Sequence, residues 1–396
     1  MNIAFLSNDV EVQMGGVGMV TSILVKNFKK KFDAKCFLFY DNESPNPAII
    51  FDAKFRIIED MDEESLRNFI NSNKINFIID QGVVKVNRVI LRRVSNSENS
   101  KIISVIHSKP DLIKVTPSYK SLRWDFKKFG IAKKIIVLLK ILFFPIYKKA
   151  SNLKYIKWKR DIYDNSDKVV VLSNYYIDNF VNLLHLKNTL KITSIGNPLR
   201  FNSFFDKEKL NEKQNEVLIV SRLSEPDKYL SRIFDVWRII EQDHRTDNWR
   251  LTIVGGGSDE PYYKARVESL KLKNIRFEGV QNPFDYYNRA KIFFMSSAHE
   301  GFPMTLLEAQ QMGVPVIAFN NFESLQELVI DGYNGFVVGP KDINSFVQRT
   351  RKLMLNDELR ITYAKNAIDH SKNYTIDKIL DKWENLFNEL INEEKK

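Results

Sequence analysis

Short apolar runs recur through the 396-residue chain, each followed by a stretch with helical spacing. Twelve of them stand out. They are 2–6, 35–40, 75–79, 101–106, 168–172 and 191–195 in the first half, and 217–220, 250–254, 275–278, 291–295, 314–318 and 335–338 in the second. Runs such as KVVVL (168–172) and VLIV (217–220) are apolar at successive positions and do not alternate. Strands of that kind are covered on both faces, which requires a parallel sheet flanked by helices. Helical spacing fills the gaps at 17–30, 62–72, 174–184, 229–243, 260–271, 304–312 and 342–355. The length suits two domains of roughly 150–200 residues. Two such series therefore predict an α/β protein of two doubly wound Rossmann-like domains facing across a cleft. The polar, aperiodic segment 195–215, broken by Gly196, Asn197 and Pro198, puts the domain limits at 1–197 and 198–373. Residues 374–396 read as one amphipathic helix.

Composition narrows the setting. Cys36 is the one cysteine, so no disulfide framework or cysteine-based zinc site can be built. A reducing, cytoplasmic location is expected. The start, MNIAFLSNDV, lacks a basic region and a long apolar run, and reads as a first strand rather than a signal peptide. The longest apolar stretch, 135–147, contains Lys140 and is too short to span a bilayer. Charge is unevenly placed. Residues 114–160 carry 14 Lys/Arg and a single acid, Asp125, a local +13 within a total of +11. This basic, amphipathic insert in the first domain interleaves lysines with Leu, Ile, Phe and Trp. Over 119–160 it is expected to contact an anionic membrane surface, so the protein would sit peripherally on the inner face of the cell membrane. A buried helix with a solvated basic edge, or a partner surface, is the plainer alternative. Charge confined to one insert argues against nucleic acid.

Open parallel sheets bind ligands beyond the carboxyl ends of their strands. In the first half those positions hold Gly15 and Gly16, Asp80-Gln81-Gly82, His107 and Ser173. In the second they hold Arg222, the Gly255–Gly257 run, and Ser297 through Glu300. The segment EGFPMTLLE (300–308) sets two carboxylates around a turn that opens a helix near Met304 or Thr305. Free N–H groups and the dipole at a helix start attract an anion. Carboxylates accept the paired donors of a vicinal diol. Together these describe a sugar nucleotide. The competing reading of Thr305-x-x-Glu308 is a capping box. Arg222 and Lys228 suit a diphosphate, against a solvated loop paired to Glu225 or Asp227. Glycines at 15, 16 and 18 permit close approach of a ligand, or simply make a turn. His107 fits a sugar hydroxyl or a satisfied structural role. Gly255 to Gly257 fit a nucleotide base or a turn. Asp60-Met61-Asp62 has the spacing of a metal–nucleotide motif, but its place before a polar helix reads as ordinary first-turn acids.

These motifs resemble the retaining glycosyltransferases of family 4, which have the two-domain GT-B fold. The resemblance is carried by SRL and Lys228 (221–228), IVGGG (253–257), SSAHEGFPMTLLEAQQMGVPVIA (296–318) and ELVIDGYNGFVV (327–338). It continues more weakly through GGVGMV, VIHS, VVVLSNYY and SIGNPL. It implies that Arg222 and Lys228 hold a donor diphosphate, with the helix start at Met304 and Thr305 beside it. Glu300 and the backbone of Gly301 and Phe302 would touch the transferred sugar, and Glu308 would bind the ribose. Gly255 would line the donor, and His107 with Gly15 and Gly16 would complete the site. The terminal helix would return to the first domain. The resemblance further implies no metal ion or cofactor, a UDP- or GDP-sugar donor, and a glycan or lipid-linked acceptor in polysaccharide or lipopolysaccharide assembly. Two departures stand out: Ser221 where glycine is usual, and NNFESLQE (320–327) where relatives carry Gly-Gly then Pro-Glu. The rival readings are a sugar-nucleotide epimerase of the same fold and a nucleic-acid-binding protein using the basic segment.

Overall fold

Two parallel sheets organise the chain. The structure, a computed structural model, describes residues 1–8, 15–41, 49–57, 62–114 and 116–393. It divides into one unit of Met1–Pro198 with Ile376–Lys396, and a second of Leu199–Thr375. In the first unit the strands are β1 (Asn2–Leu6), β2 (Lys35–Tyr40), β3 (Ala53–Arg56), β4 (Phe77–Asp80), β5 (Lys101–Ile106), β6 (Lys168–Val171) and β7 (Ile192–Ser194). They lie in the order β3-β2-β1-β4-β5-β6-β7, all parallel. In the second unit β8 (Gln214–Val220), β9 (Arg250–Val254), β10 (Ile275–Gly279), β11 (Ala290–Met295), β12 (Val316–Phe319) and β13 (Gly335–Val338) are ordered β10-β9-β8-β11-β12-β13, again all parallel.

Local chemistry explains where elements begin and end. β3, with sequence AKFR, is a half-buried edge strand without an apolar run, and periodicity gave no sign of it. The 314–318 run begins its pairing only at Val316. Pro315 has no N–H to give the ladder, though its carbonyl accepts the Phe293 N–H at 3.0 Å. The helix expected from 229 starts at Leu230, because Tyr229 takes a left-handed conformation with φ 49°. Asp62 caps the helix Glu63–Ser72, accepting from the N–H groups of Glu64 and Ser65; Asp60 and Met61 lie outside the described residues. That is the ordinary role of an acid at a helix start.

Each unit has its own core. In the second, Trp237, Phe234, Tyr263, Ile253 and Phe294 are buried between sheet and helices. In the first, the terminal helix Ile376–Glu393 packs Phe387 at 4.6 Å (ring centroids) from Phe77 on β4. It also sets Trp383 at 5.7 Å from Phe28 on the helix Gly16–Phe32. Each such side chain contributes roughly 1.5–3 kcal/mol by leaving water. The Cys36 thiol is buried and its pKa is pushed up to about 12 by desolvation, so it is no nucleophile. Between β5 and β6 the insert forms three helices, Tyr119–Lys128, Ile131–Leu142 and Phe144–Asp164. The apolar run 135–147 is split between the last two, with Pro145 in the first turn of the third. No helix among the described residues is long and apolar enough to cross a membrane.

Candidate functional site

In the second unit the connection order reverses between β8 and β11. The carboxyl ends of strands at such a switch point are where doubly wound sheets bind ligands. Both motif-bearing loops open at this point. The loop after β8 carries Arg222 and leads into the helical turn Glu225–Lys228. The loop after β11 carries Ser296 through Pro303 and leads into the helix Met304–Gln311. The two loops are stitched together. The Ala298 N–H donates to the Asp227 carbonyl at 2.7 Å, and the Ser296 hydroxyl donates to the Lys228 carbonyl at 2.6 Å. The Lys228 ammonium donates to the Glu300 carboxylate, with both side chains less than a fifth exposed. His299 Nε2 lies 3.8 Å from the Asp227 carboxylate. Arg222 is exposed and has no ion-pair partner among the described residues. The alternative reading, a surface pairing of these cations with Glu225 or Asp227, is therefore not what forms. Glu225 is buried and accepts from Ser231, and Lys228 turns to Glu300.

The helix Met304–Gln311 begins without a side-chain cap, after Pro303. Its first N–H groups, at Met304 and Thr305, have no intrahelical acceptor. Phe302 is buried against Tyr374, ring centroids 5.4 Å apart, and Gly301 is buried as well, so this turn is rigidly seated. The competing reading of Thr305 and Glu308, a capping box, does not form. Glu308 is instead held by residues that sequence reasoning did not single out. The Tyr287 hydroxyl donates to one carboxylate oxygen at 2.9 Å, and Arg200 donates to the other at 3.3 Å. Burial raises the Glu308 carboxyl above its ordinary pKa, opposed by the Arg200 charge and the two hydrogen bonds. Two of its roughly four acceptor positions are thus engaged. Arg200 sits in a segment read as linker, and Tyr287 in the short helix Phe284–Arg289; neither position carries a local signal.

The glycine run after β9 serves the Arg222 loop. Gly255 has φ +130°, and a Cβ there would lie 2.0 Å from the Ser221 carbonyl oxygen. A Cβ on Gly257 would lie 2.4 Å from the Leu223 carbonyl oxygen. Close backbone contact permits the Ser221 N–H to reach the Val254 carbonyl at 3.0 Å and the Leu223 N–H to reach that of Gly256 at 2.9 Å. Arg222 is thereby clamped from both sides. The unusual loop after β12 is also tied in: Asn321 donates to the Ser297 carbonyl at 2.9 Å.

In the first unit, β4 and β5 are neighbours and bring Gln81 beside His107. The side-chain oxygen of Gln81 can only accept, so His107 Nε2 is the donor of the bond between them. Burial, then the charge of Lys159, lower the His107 pKa to about 4, so the ring is neutral near pH 7. Lys159 is itself fully buried, 4.1 Å from the Trp158 ring centre, and desolvation brings its pKa to about 7. Gly15 caps the helix Gly16–Phe32 through its backbone. A Cβ on Gly15 or Gly16 would meet nothing within 4 Å, so packing does not demand glycine at either place. Gln13 and Met14 of that motif lie outside the described residues.

Comparison with known proteins agrees with this architecture. Residues 201–370 match the model of the family described as Glycosyl transferases group 1. An amylovoran biosynthesis glycosyltransferase of Erwinia amylovora is 29% identical over 236 residues, 59% of this chain; the match spans just under two thirds of that protein's length, 65%. An uncharacterized glycosyltransferase of Haemophilus influenzae is 26% identical over 295 residues, 70% of this chain and 81% of that protein. The crystal structure of Anabaena HepE in complex with UDP superimposes with a TM-score of 0.69 at 14% identity, covering 98% of this chain and all of that one. This likeness establishes a shared GT-B fold. With two doubly wound parallel sheets in the chain and a match that spans most of the second unit, that second unit belongs to the glycosyl transferases group 1 family.

Proposed function

We propose that the protein is a retaining glycosyltransferase that moves a sugar from a nucleotide-sugar donor to a glycan or lipid-linked acceptor during assembly of a bacterial surface polysaccharide. The observation that carries this reading is the pair of loops joined at the β8/β11 switch point. There the clamped Arg222, the Lys228–Glu300 pair and the uncapped helix start at Met304 converge on one sheet edge. A guanidinium, an ammonium and free amides match a diphosphate, while carboxylates match sugar and ribose hydroxyls. The Erwinia relative's place in amylovoran biosynthesis supports a setting in polysaccharide assembly, and UDP bound to HepE supports a nucleoside diphosphate leaving group.

The reaction follows from the charges. The bond between the sugar's anomeric carbon and the phosphate oxygen breaks, and negative charge grows on the diphosphate. Arg222, Lys228 and the amides at Met304 and Thr305 are aimed at that charge, worth about 2.7–4 kcal/mol for each such donor. The acceptor hydroxyl enters on the face the phosphate leaves. Its oxygen bonds the anomeric carbon, and its proton passes to a departing phosphate oxygen. Glu300 orients sugar hydroxyls and forms no covalent bond. Glu308 is assigned the ribose. The second unit is proposed as the donor-binding half, and the first, with His107 and the Gly15–Gly16 turn, as the acceptor half.

The test is a thermal-shift screen with UDP-, GDP- and ADP-sugars, followed by turnover of the stabilising donor. At a hundredfold excess over Kd, a bound donor should add about 2.7 kcal/mol of stability. UDP- or GDP-sugar is expected to give it, and turnover should persist in EDTA. No shift with any nucleotide sugar would remove the reading.

A further inference from the structure

The insert between β5 and β6 does not bury its apolar side. In the helix Ile131–Leu142, Ile131, Ile135, Leu138 and Leu142 recur at intervals of four, three and four residues. That spacing puts them on one face. In a helix of a folded domain this face is the one normally packed inward. Here Ile131 is 83%, Ile135 57% and Leu142 64% exposed, and Ile146 at the start of the next helix is 70% exposed. The inward side of the same helix is Val137, which is buried. The insert is nevertheless well packed within itself. Tyr119 of its first helix lies 3.9 Å from Phe144 of its third (ring centroids), and the Lys134 ammonium lies 5.6 Å from the Phe126 ring centre. The outward face is therefore apolar by sequence in an ordered element, and it is larger than the scattered exposed residues of an ordinary surface.

We infer that this insert docks on an anionic phospholipid surface, with the helix Ile131–Leu142 lying in the plane of the interface and its Ile/Leu face among the acyl chains. Charge selects the occupant. Lys127, Lys133, Lys149, Lys154 and Lys157 of the insert are all exposed, and the segment 114–160 contains one acid against 14 bases. A second copy would bring the same positive face against itself, which repels. Nucleic acid would use the lysines, but an Ile/Leu stripe offers no stacking partner for a base. An anionic bilayer matches both parts at once, apolar chains for the stripe and headgroups for the ammonium groups. The insert lies on the membrane and does not cross it, consistent with helices too short and too charged to span. The docking is independent of the chemistry proposed above, so its failure would leave the transferase reading standing.

The experiment is co-sedimentation of the full chain with phosphatidylglycerol–phosphatidylcholine vesicles and with pure phosphatidylcholine vesicles. The parent is expected to partition onto the first and hardly onto the second. The variant Ile135→Ser/Leu138→Ser/Leu142→Ser alters exposed positions, and its circular-dichroism melt should match the parent. Its partitioning should fall by about a hundredfold or more. Lys127→Glu/Lys133→Glu should lower partitioning by about fivefold per lysine, on charged vesicles alone. Equal partitioning of the serine variant and the parent would overturn the inference. So would a lipid-free dimer that the serine variant abolishes, because the stripe would then be a self-interface. Binding of the parent to duplex DNA or RNA but not to charged vesicles would overturn it as well.

Discussion

Arg222 and Glu308 make opposite demands on their surroundings. Arg222 is exposed and packs against little, so Arg222→Ala should leave the melting temperature within a degree or two while cutting kcat by about 10²–10³-fold, the loss typical of one charge-stabilising donor. Unchanged kcat would remove the phosphate assignment. Glu308 is buried between Tyr287 and Arg200, so its substitution touches both fold and ligand. Glu308→Gln retains an acceptor, and should cost about 1 kcal/mol in stability while weakening nucleotide binding measured by calorimetry. Unchanged affinity would mean that the carboxylate serves only to tie the helix Met304–Gln311 to its neighbours. His107 supplies a pH dependence. Its pKa is lowered from 6.5 to about 4 in the folded protein, so the folded state disfavours its protonation. The stabilisation is fully present above pH 6.5 and is lost as pH falls towards 4. His107→Gln should flatten the stability profile of the first unit across that window, read by urea melts at several pH values. These residue types and their places at strand ends could be found in the sequence. Their partners could not, since Lys228–Glu300 and Arg200–Glu308 join positions 72 and 108 residues apart.

At the scale of elements, the glycines separate two mechanisms that look alike in sequence. Gly255 occupies a left-handed conformation hard against the Ser221 carbonyl, so Gly255→Ala must displace the loop that bears Arg222. A loss of about 1–3 kcal/mol is expected, together with reduced turnover. Gly15 faces open space, so Gly15→Ala should leave stability unchanged and affect only kcat/KM. If Gly15→Ala proves as destabilising as Gly255→Ala in a thermal melt, close approach of a ligand is not its reason. The same contrast limits pattern reading. The edge strand β3 went unseen because a half-buried AKFR has no apolar continuity. The capping box that Thr305-x-x-Glu308 offers as an alternative in sequence does not form, because Tyr287 and Arg200 take the same carboxylate in three dimensions.

Across the whole molecule, the first unit is discontinuous in sequence, since it is completed by the helix Ile376–Glu393. Trp383 and Phe387 are 2% exposed and sit against Phe28 and Phe77. Trp383→Ala should therefore cost about 3–5 kcal/mol, detected as an early melting transition of the first unit. An unaltered melt would show that the helix contributes little there. Apolar runs without alternation, helices between them, and polar residues at strand ends were determined by the sequence itself, because burial on both faces leaves an unbroken apolar pattern that needs no partner to be read. Sheet order is a different kind of information. Only the tertiary structure set β8 beside β11, joined Lys228 to Glu300 and surrounded Glu308 with Tyr287 and Arg200. It alone left the Ile/Leu face of the insert turned outward, because pairing between distant segments and the burial that follows depend on contacts no local window contains.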